Sequence, residues 1–190
     1  MIVVGIDTNG NIMLLHMVRD KLTQEQKFQN LVRLYQKYRP LETYYEQESM
    51  QSDIALMENY MDQYRFRFSI SPFSMKKYGA KEHRISKLTT PFRRGKIYLP
   101  YECWGVNYLG KDEDFINSFI TQEYMGFPII QHDDALDILA TAYIYLENGN
   151  IQAPLEAIGA TGTEDALYDP VSHRLMIAEV GQEIDSFEFL

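Results

Sequence analysis

Apolar and polar positions along the first part of the chain predict a β-hairpin followed by a helix. Two apolar runs, from Ile2 to Ile6 and from Ile12 to Val18, flank the turn-forming pair Asn9-Gly10, and this order is typical of a hairpin. Thr23 and Gln26 then have the spacing of a capping box, which predicts the start of a helix. Apolar residues recur at helical spacing after this point until a proline ends the pattern.

Up to about residue 150, the spacing of the apolar residues is that of a strand in some segments and that of a helix in others. Further strands are predicted over 42–48 and 66–70, a short extended segment over 95–99, and helices over 51–64, 81–89, 114–125 and 133–147. The order β-β-α-β-α-β, followed by helices, predicts an α/β fold, and the opening hairpin makes its β-sheet mixed. We therefore expect one domain over residues 1–149, in which helices flank a mixed β-sheet.

The composition changes after Gly149. Residues 150–165 are rich in Gly, Ala and Thr, as in a linker, and residues 167–180 have the pattern of a hairpin around Asp169-Pro170. Residues 151–190 contain eight acidic residues and one base, Arg174. We expect residues 150–190 to form an acidic C-terminal extension, and one interpretation of its charge is that it occupies the protein's own basic residues.

Cysteine content and hydropathy exclude several classes of protein. Cys103 is the single cysteine, so the chain has no internal disulfide and no cysteine cluster for zinc, as is usual in a reducing compartment. No stretch approaches the run of about eighteen apolar residues that spans a membrane, and residues 1–4 lack the pattern of a signal peptide. We therefore expect a protein that is neither secreted nor inserted in a membrane.

The net charge of −9 conceals a strongly basic region. Residues 65–96 contain ten basic residues and one acidic residue, Glu82. This concentration of positive charge predicts a surface that binds the phosphates of nucleic acid, and the alternative is a solvated basic face without a partner. Two of the bases, spaced i, i+3 on a predicted helix, could clamp phosphates. The residues expected to contact DNA are Lys81, Arg84, Lys87, Arg93 and Arg94.

Three carboxylates stand at the head of the last predicted helix. Asp134 and Asp137 are spaced i, i+3 and share one face of the helix, whereas Asp133 is expected to cap it. Packing does not favour three like charges at the start of an apolar helix, but a divalent cation with oxygen ligands explains them. The alternative is the ordinary preference for acidic residues at a helix N-terminus, where they complement the helix dipole.

A further carboxylate lies within the predicted strand over 42–48. Glu46 is unfavourable in a central strand unless it is paired or bound to a cation, but in an edge strand Glu46 and Glu48 simply face water. Together with Asp134 and Asp137, Glu46 is a candidate ligand of two Mg²⁺ or Mn²⁺ ions. Two such ions are used for in-line hydrolysis of phosphodiester bonds.

These motifs, in this order, resemble the nuclease domain of the large terminase subunit of tailed bacteriophages. The resemblance spans residues 2–147 and rests on order and spacing rather than on one motif. Its matching pieces are Val3-Val4-Gly5-Ile6-Asp7, Gly10-Asn11-Ile12 with Leu14-Leu15, Thr23 to Gln26, Tyr45-Glu46 with Gln51, the set Lys81, Arg84, Ile85 and Leu88, and Glu123-Tyr124 through Phe127-Pro128 to His132-Asp133-Asp134-Ala135-Leu136-Asp137. Those domains have an RNase H-like fold related to RuvC resolvases, so the resemblance implies an RNase H-like mixed β-sheet flanked by helices.

The resemblance also implies an activity, a metal requirement and partners. It implies a metal-dependent endonuclease that cuts concatemeric viral DNA by a two-metal mechanism with Mg²⁺ or Mn²⁺. By this resemblance Glu46 is the second catalytic acid, and the last is supplied by the pair Asp134 and Asp137, a spacing that RuvC-like enzymes use; Asp133 is a further metal ligand. The implied partners are double-stranded DNA, the terminase ATPase domain, the small terminase subunit and the portal, and the implied location is the host cytoplasm.

The sequence departs from the family at its start. Terminase nuclease domains begin with a strand that carries the first catalytic Asp, usually followed by Pro, and this strand precedes the hairpin matched here. We therefore expect the N-terminal strand and its Asp to be missing. Asp7 follows an apolar strand and is a candidate substitute as a metal ligand, although its neighbours indicate a tight turn.

Three other functions stay open on the sequence alone. A catalytically impaired DNA-binding or assembly module would keep the basic residues without metal chemistry. A RuvC-like structure-specific nuclease would use the same acids and bases. An α/β domain of unrelated function would bind neither metal nor DNA.

Overall fold

The computed structural model describes residues 1–46, 51–130 and 132–149. Within these ranges the chain is a mixed α/β protein with three small β-sheets. The described residues divide into two compact units. The first unit contains Met1–Arg19, Lys81–Val106 and the described residues from Asp112 onwards, and the second unit contains Asp20–Ala80 and Asn107–Lys111.

The first unit contains a three-stranded mixed sheet. β1 (Ile2–Ile6) pairs antiparallel with β2 (Ile12–Met17), and β2 pairs parallel with β5 (Ile97–Tyr98). The predicted opening hairpin is thus confirmed, and the predicted extended segment before Pro100 supplies the third strand. Ile12 and Leu14 of β2 are 1 % and 0 % exposed, so this strand lies in the core of the unit.

The side chain of Asp7 holds the turn of the hairpin. One carboxylate oxygen accepts hydrogen bonds from the backbone N–H groups of Asn9 (2.9 Å) and Asn11 (2.7 Å), and the other accepts from the Asn11 side chain (2.6 Å). Gly10 has a φ of 71°, a left-handed conformation that a residue without Cβ adopts at little cost. The turn signal in the sequence therefore acts through both a side-chain acceptor and a glycine.

Helices pack against this sheet around one apolar core. They are α3 (Lys81–Ser86), α4 (Thr89–Arg93), α5 (Phe115–Phe119), a π-helix that continues it (Ile120–Tyr124), and α6 (Asp134–Glu147). Leu14, Phe119 and Leu139 are completely buried where β2, α5 and α6 meet. A short antiparallel hairpin, β6 (Trp104–Val106) and β7 (Asp112–Asp114), leads into α5. The predicted last helix is confirmed.

The second unit has its own aromatic core. Its elements are α1 (Gln24–Tyr38), β3 (Tyr44–Glu46), α2 (Gln51–Tyr64), β4 (Ser71–Phe73) and a 3₁₀ helix (Lys76–Tyr78). β3 and β4 form a two-stranded parallel sheet. Thr23 caps α1 with the predicted capping box to Gln26. Phe28 of α1 stacks on Tyr60 of α2 with ring centroids 5.4 Å apart, which joins the two helices.

The predicted strand over 66–70 is wrong. The strand in this region is β4, which begins only at Ser71, where its N–H donates to the carbonyl of Thr43. Phe66 and Phe68 are instead held by ring contacts with Tyr35, at centroid distances of 6.0 and 4.9 Å. Alternating apolar residues here therefore mark a segment that packs through its side chains without strand pairing.

Other predictions of local structure also need correction. The single helix predicted over 81–89 is two helices, because the backbone turns between α3 and α4. No strand was predicted around Trp104, where the structure has β6. The strands form three small sheets among the described residues instead of one mixed sheet. The predictions for Glu48, the linker over 150–165 and the hairpin over 167–180 lie outside the described residues. Within the described ranges, none of the helices has the length and apolar character needed to cross a membrane.

Candidate functional site

The head of α6 and the short helix α3 bring acidic and basic side chains together in the first unit. Lys81 Nζ lies 2.6 Å from a carboxylate oxygen of Asp133 and 2.6 Å from one of Asp134. Arg84 makes two hydrogen bonds to Asp137, from Nε to Oδ1 (2.9 Å) and from Nη2 to Oδ2 (2.6 Å). These three acids and two bases form one group, which we call the α3–α6 charge cluster.

The basic residues of α3 and the acidic residues of α6 have the same spacing in the sequence, and this decides which side chains meet. Lys81 and Arg84 are spaced i, i+3 on α3, as Asp134 and Asp137 are on α6, so each pair lies on one face of its helix. The two helices pack against each other, which places the basic pair opposite the acidic pair. Residues 53 positions apart in the chain therefore meet as two ion pairs.

Burial differs strongly across the cluster. The side chains of Arg84 and Asp137 are 9 % and 14 % exposed, whereas the Asp134 side chain is 86 % exposed. A nearly buried guanidinium depends on its carboxylate partner, since loss of that partner would leave a buried unpaired charge. The Asp134 side chain is close to solvent, so its ion pair with Lys81 contributes little to stability.

The pKa of Lys81 is higher than that of an isolated lysine. Burial lowers the pKa of Lys81, but hydrogen bonds to Asp133 and Asp134 and the negative charge of both carboxylates outweigh this effect. The net result is a pKa raised above the usual value of 10.5. Lys81 is therefore a cation at neutral pH, and it is shared by two carboxylates.

Glu123 caps α6, a role that the sequence analysis gave to Asp133. One carboxylate oxygen of Glu123 accepts hydrogen bonds from the backbone N–H groups of Ala135 (2.9 Å) and Leu136 (3.2 Å), and the other accepts from Arg19 Nε (2.5 Å). Asp133 occupies the N-cap position, but its side chain accepts no capping hydrogen bond. The prediction for Asp133 as the cap is therefore wrong, because Glu123 takes the free N–H groups and Lys81 pairs with Asp133 instead.

The sequence contained a signal for the role of Glu123. Glu123 is 1 % exposed, and it follows Phe119 by four residues on a segment whose other buried residues are apolar except for Ser118. An acidic residue on the buried face of a helix must be paired or hydrogen-bonded. Glu123 is therefore recognisable from the sequence as a residue with a buried partner, but the partner itself is not.

Glu46 lies at the end of β3 in the second unit. β3 belongs to a two-stranded sheet in the described part of the chain, and the Glu46 side chain is exposed. The local geometry therefore corresponds to the edge-strand alternative, in which this carboxylate does not face a buried environment. Asp133, Asp134 and Asp137 belong to the first unit, and the catalytic role of Glu46 stays a prediction.

The other acidic candidate, Asp7, is engaged in the hairpin turn through both of its oxygens. Within residues 1–46, 51–130 and 132–149, no three His, Cys, Asp or Glu side chains form a group that could hold a metal ion by themselves. Mg²⁺ is commonly bound through one or two carboxylates together with substrate phosphates and water. Asp133 and Asp134, which already share one cation, supply two carboxylates of the type that such a donor set uses.

The predicted DNA contacts that follow α3 differ in their availability. Arg93 and Arg94, at the end of α4, are exposed and form no ion pair with another described residue. Lys96 is also exposed, and its Nζ donates to the backbone carbonyl of Asn9 at 3.3 Å. We call Arg93, Arg94 and Lys96 the α4 basic group. Lys87 is half-buried, and its DNA contact stays a prediction.

Comparison of the chain with protein-family models, with curated proteins and with solved structures finds no match. The assignment of function therefore depends on the residues and their geometry.

Proposed function

We propose that this chain is a metal-dependent DNA endonuclease domain of the kind found in phage packaging terminases. The observation that carries the proposal is the α3–α6 charge cluster, in which three carboxylates and two cations meet at the head of one helix. The order of motifs that resembles terminase nucleases supports the same function. On this proposal the fold is RNase H-like, and the ATPase domain, small terminase subunit and portal are partners.

The residues of the cluster have distinct roles in this proposal. Asp133 and Asp134 would hold Mg²⁺ or Mn²⁺, and Lys81 would give up its place between them to the metal or bind the scissile phosphate. The metal, when bound, would activate water and stabilise the leaving 3′ oxygen. Arg84 keeps the carboxylate of Asp137 in one orientation through two hydrogen bonds. Glu46 is the further catalytic acid on the strength of the resemblance.

The exposed arginines support binding of the DNA backbone. Arg93 and Arg94 present guanidinium groups to solvent with no carboxylate paired to them in the described residues. A guanidinium binds phosphate through two parallel hydrogen bonds, and such contacts do not depend on base sequence. The expected interaction is therefore strong at low salt and weakly specific.

A second candidate function, a non-catalytic DNA-binding or assembly module, is favoured by one specific observation. Each acid of the charge cluster already has a basic partner, Lys81 or Arg84, so every carboxylate has an ion-pair partner without a metal. On this reading the α3–α6 charge cluster stabilises the fold, and the α4 basic group binds DNA.

The test uses the full chain, supercoiled plasmid and Mn²⁺ or Mg²⁺, with EDTA as the metal-free control. Asp134→Asn is the informative variant of the cluster, because Asp134 is 86 % exposed and its loss should not unfold the protein. Glu46→Gln tests the assignment made by resemblance. Glu82→Gln is the matched control, since Glu82 is an exposed acid on α3 that forms no ion pair with a described residue.

The nuclease proposal expects metal-dependent nicking that Asp134→Asn and Glu46→Gln each reduce by at least about 100-fold, while Glu82→Gln retains it. DNA binding without cleavage by the wild-type chain would support the second function and contradict the first. Cleavage that persists in EDTA, or that is unchanged in Asp134→Asn, would also overturn the proposed metal site.

A further inference from the structure

An apolar groove lies beside α4 in the first unit. It has a volume of about 320 Å³, and its floor contains Leu88 and Leu136, which are each 2 % exposed. Phe92 and Tyr124 form one wall, with ring centroids 4.9 Å apart, and Phe127 lines another part. The groove is therefore preformed by packed side chains of α4, α6 and the segment between the π-helix and α6.

Exposed apolar residues continue from the groove along this segment. Tyr124 is 43 % exposed, Met125 73 % and Ile129 93 %. Contiguous exposed apolar surface usually marks a site where another segment or molecule binds. The described residues provide nothing that covers Ile129.

The rim of the groove is cationic. Arg93 lines it, and Arg94 and Lys96 follow directly in the chain. Arg93 and Arg94 have no ion-pair partner among the described residues. The best complement to this surface is a segment that carries both carboxylates and large apolar side chains.

The C-terminal part of this chain has that composition. Residues 151–190 contain eight acids and one base, and their last eight residues, 183–190, contain three acids and four apolar residues. In that stretch Phe187, Phe189 and Leu190 stand among Glu183, Asp185 and Glu188. The charge is opposite to that of the α4 basic group, and the aromatic residues match the apolar floor.

The chain leaves α6 next to the α4 basic group. Tyr143, in the last part of α6, has its pKa raised to about 12 by burial and by its hydrogen bond to Glu147, and Arg94 is near enough to oppose that shift. α6 ends at Glu147, four residues after Tyr143, and residues 150–190 follow in the chain. The forty residues that follow reach on the order of 130 Å when extended, far more than the size of the groove.

We propose that residues 183–190 dock in the groove beside α4, with their carboxylates against the α4 basic group, and thereby compete with DNA for the same arginines. The competition rests on the proposed DNA-binding function, whereas the docking does not. A tethered segment has an effective concentration on the order of 1 mM. An intrinsic Kd on the order of 100 µM would therefore make the arginines about tenfold less available to DNA.

Cross-linking in the full chain tests the docking without DNA. Thr89 lines the groove and is exposed, so Thr89→Cys together with Ser186→Cys should form an intramolecular disulfide under mild oxidation. Cys103 is buried and does not compete. Leu41→Cys with Ser186→Cys is the matched control, because Leu41 is 95 % exposed and does not line the groove.

The cross-linking has three distinguishable outcomes. A Thr89 disulfide that forms at least about tenfold faster than the Leu41 disulfide, in a monomer on a non-reducing gel, supports the docking. Equal rates for the two pairs would overturn it. A covalent dimer as the main product would show that a second copy of the chain occupies the groove, which also overturns the intramolecular docking.

DNA affinity tests the competition separately. The double variant Phe187→Ser with Phe189→Ser keeps the net charge of the chain, so a gain in affinity would reflect lost docking and not a change in charge. We expect its DNA affinity to rise about tenfold, whereas Leu167→Ser with Tyr168→Ser, in the same segment, leaves the affinity unchanged. Suppose that the Phe187→Ser, Phe189→Ser variant binds DNA as the wild type does, while the Thr89→Cys, Ser186→Cys chain still forms its disulfide. The docking would then be supported and the competition with DNA rejected.

Discussion

Replacement of Glu123 by Gln is the sharpest test of how the head of α6 is stabilised. Glu123 is 1 % exposed and accepts three hydrogen bonds from two directions, one from Arg19 and two from the backbone N–H groups of Ala135 and Leu136. The side chain of Gln has the same shape but only one acceptor oxygen. Its amide nitrogen must therefore face a donor on one of the two sides.

The expected cost follows from the contacts that Gln cannot replace. A hydrogen bond to a charged group contributes about 1.5–3 kcal/mol, and a negative charge at a helix N-terminus contributes a further 0.3–1 kcal/mol, roughly. If the amide keeps its oxygen towards Ala135 and Leu136, the Arg19 side chain loses its anionic partner. We therefore expect the free energy of unfolding to fall by about 3 kcal/mol, at the lower end of the values known for broken buried ion pairs.

Urea denaturation followed by circular dichroism measures this change, with Glu102→Gln as the matched control. Glu102 is exposed and accepts one hydrogen bond from Trp104 Nε1 (2.8 Å), which a Gln oxygen can also accept. The control should therefore change the stability by less than about 0.5 kcal/mol. A loss below about 1 kcal/mol in Glu123→Gln would refute the idea that this carboxylate organises α6.

Three further predictions test other parts of the molecule. Thr23→Ala removes the acceptor for the N–H of Gln26 (3.2 Å) and should lower the stability in urea by about 1 kcal/mol; an unchanged midpoint would contradict the cap. Arg93→Gln should reduce the slope of log K for DNA binding against log salt by about 0.9, and an equal slope would remove Arg93 from the interface. Burial and the hydrogen bond to Glu147 raise the pKa of Tyr143 from 10.0 to about 12, so its contribution to stability is complete below pH 10 and is lost as the pH rises through 12. The stability difference between the wild type and Tyr143→Phe should shrink over this range, and a constant difference would contradict the assignment.

Elements that depend on local signals could be predicted from the sequence. The hairpin around Gly10 and the start of α1 at Thr23 each rest on residues within five positions of one another. Such contacts form whatever the rest of the chain does, so a turn residue or a capping residue is sufficient evidence. Helix α6 was predicted for the same reason, since its apolar residues recur at helical spacing and Gly149 follows it.

Elements that depend on distant partners could not be predicted. The alternation of Phe66, Phe68 and Ile70 is a valid strand signal, but strand pairing in this region begins at Ser71, and the two phenylalanines pack on Tyr35. β7 (Asp112–Asp114) consists entirely of acidic residues, which are uncommon in strands. The sequence therefore contains no apolar pattern that would predict its pairing with β6. In both cases packing overrides the local preference.

The candidate site was predicted in part. The three acids at the head of α6 were found because their charge conflicts with an apolar helix, and Lys81 and Arg84 because they lie in a basic region. The sequence could not show that these two groups pair with each other across 53 residues. It also could not show that Glu123, and not Asp133, caps α6, because this cap depends on the position of the π-helix next to α6.

The charge balance of the α3–α6 charge cluster separates the two candidate functions. Three carboxylates and two cations leave one net negative charge, so a DNA phosphate is repelled there unless a further cation joins the group. A nuclease meets that requirement by binding metal together with DNA at the exposed Asp134. A DNA-binding module would have no such requirement, because on that proposal Arg93 and Arg94 would attract the backbone without a metal. Metal-dependent cleavage that depends on Asp134 is therefore an outcome that only the nuclease function explains.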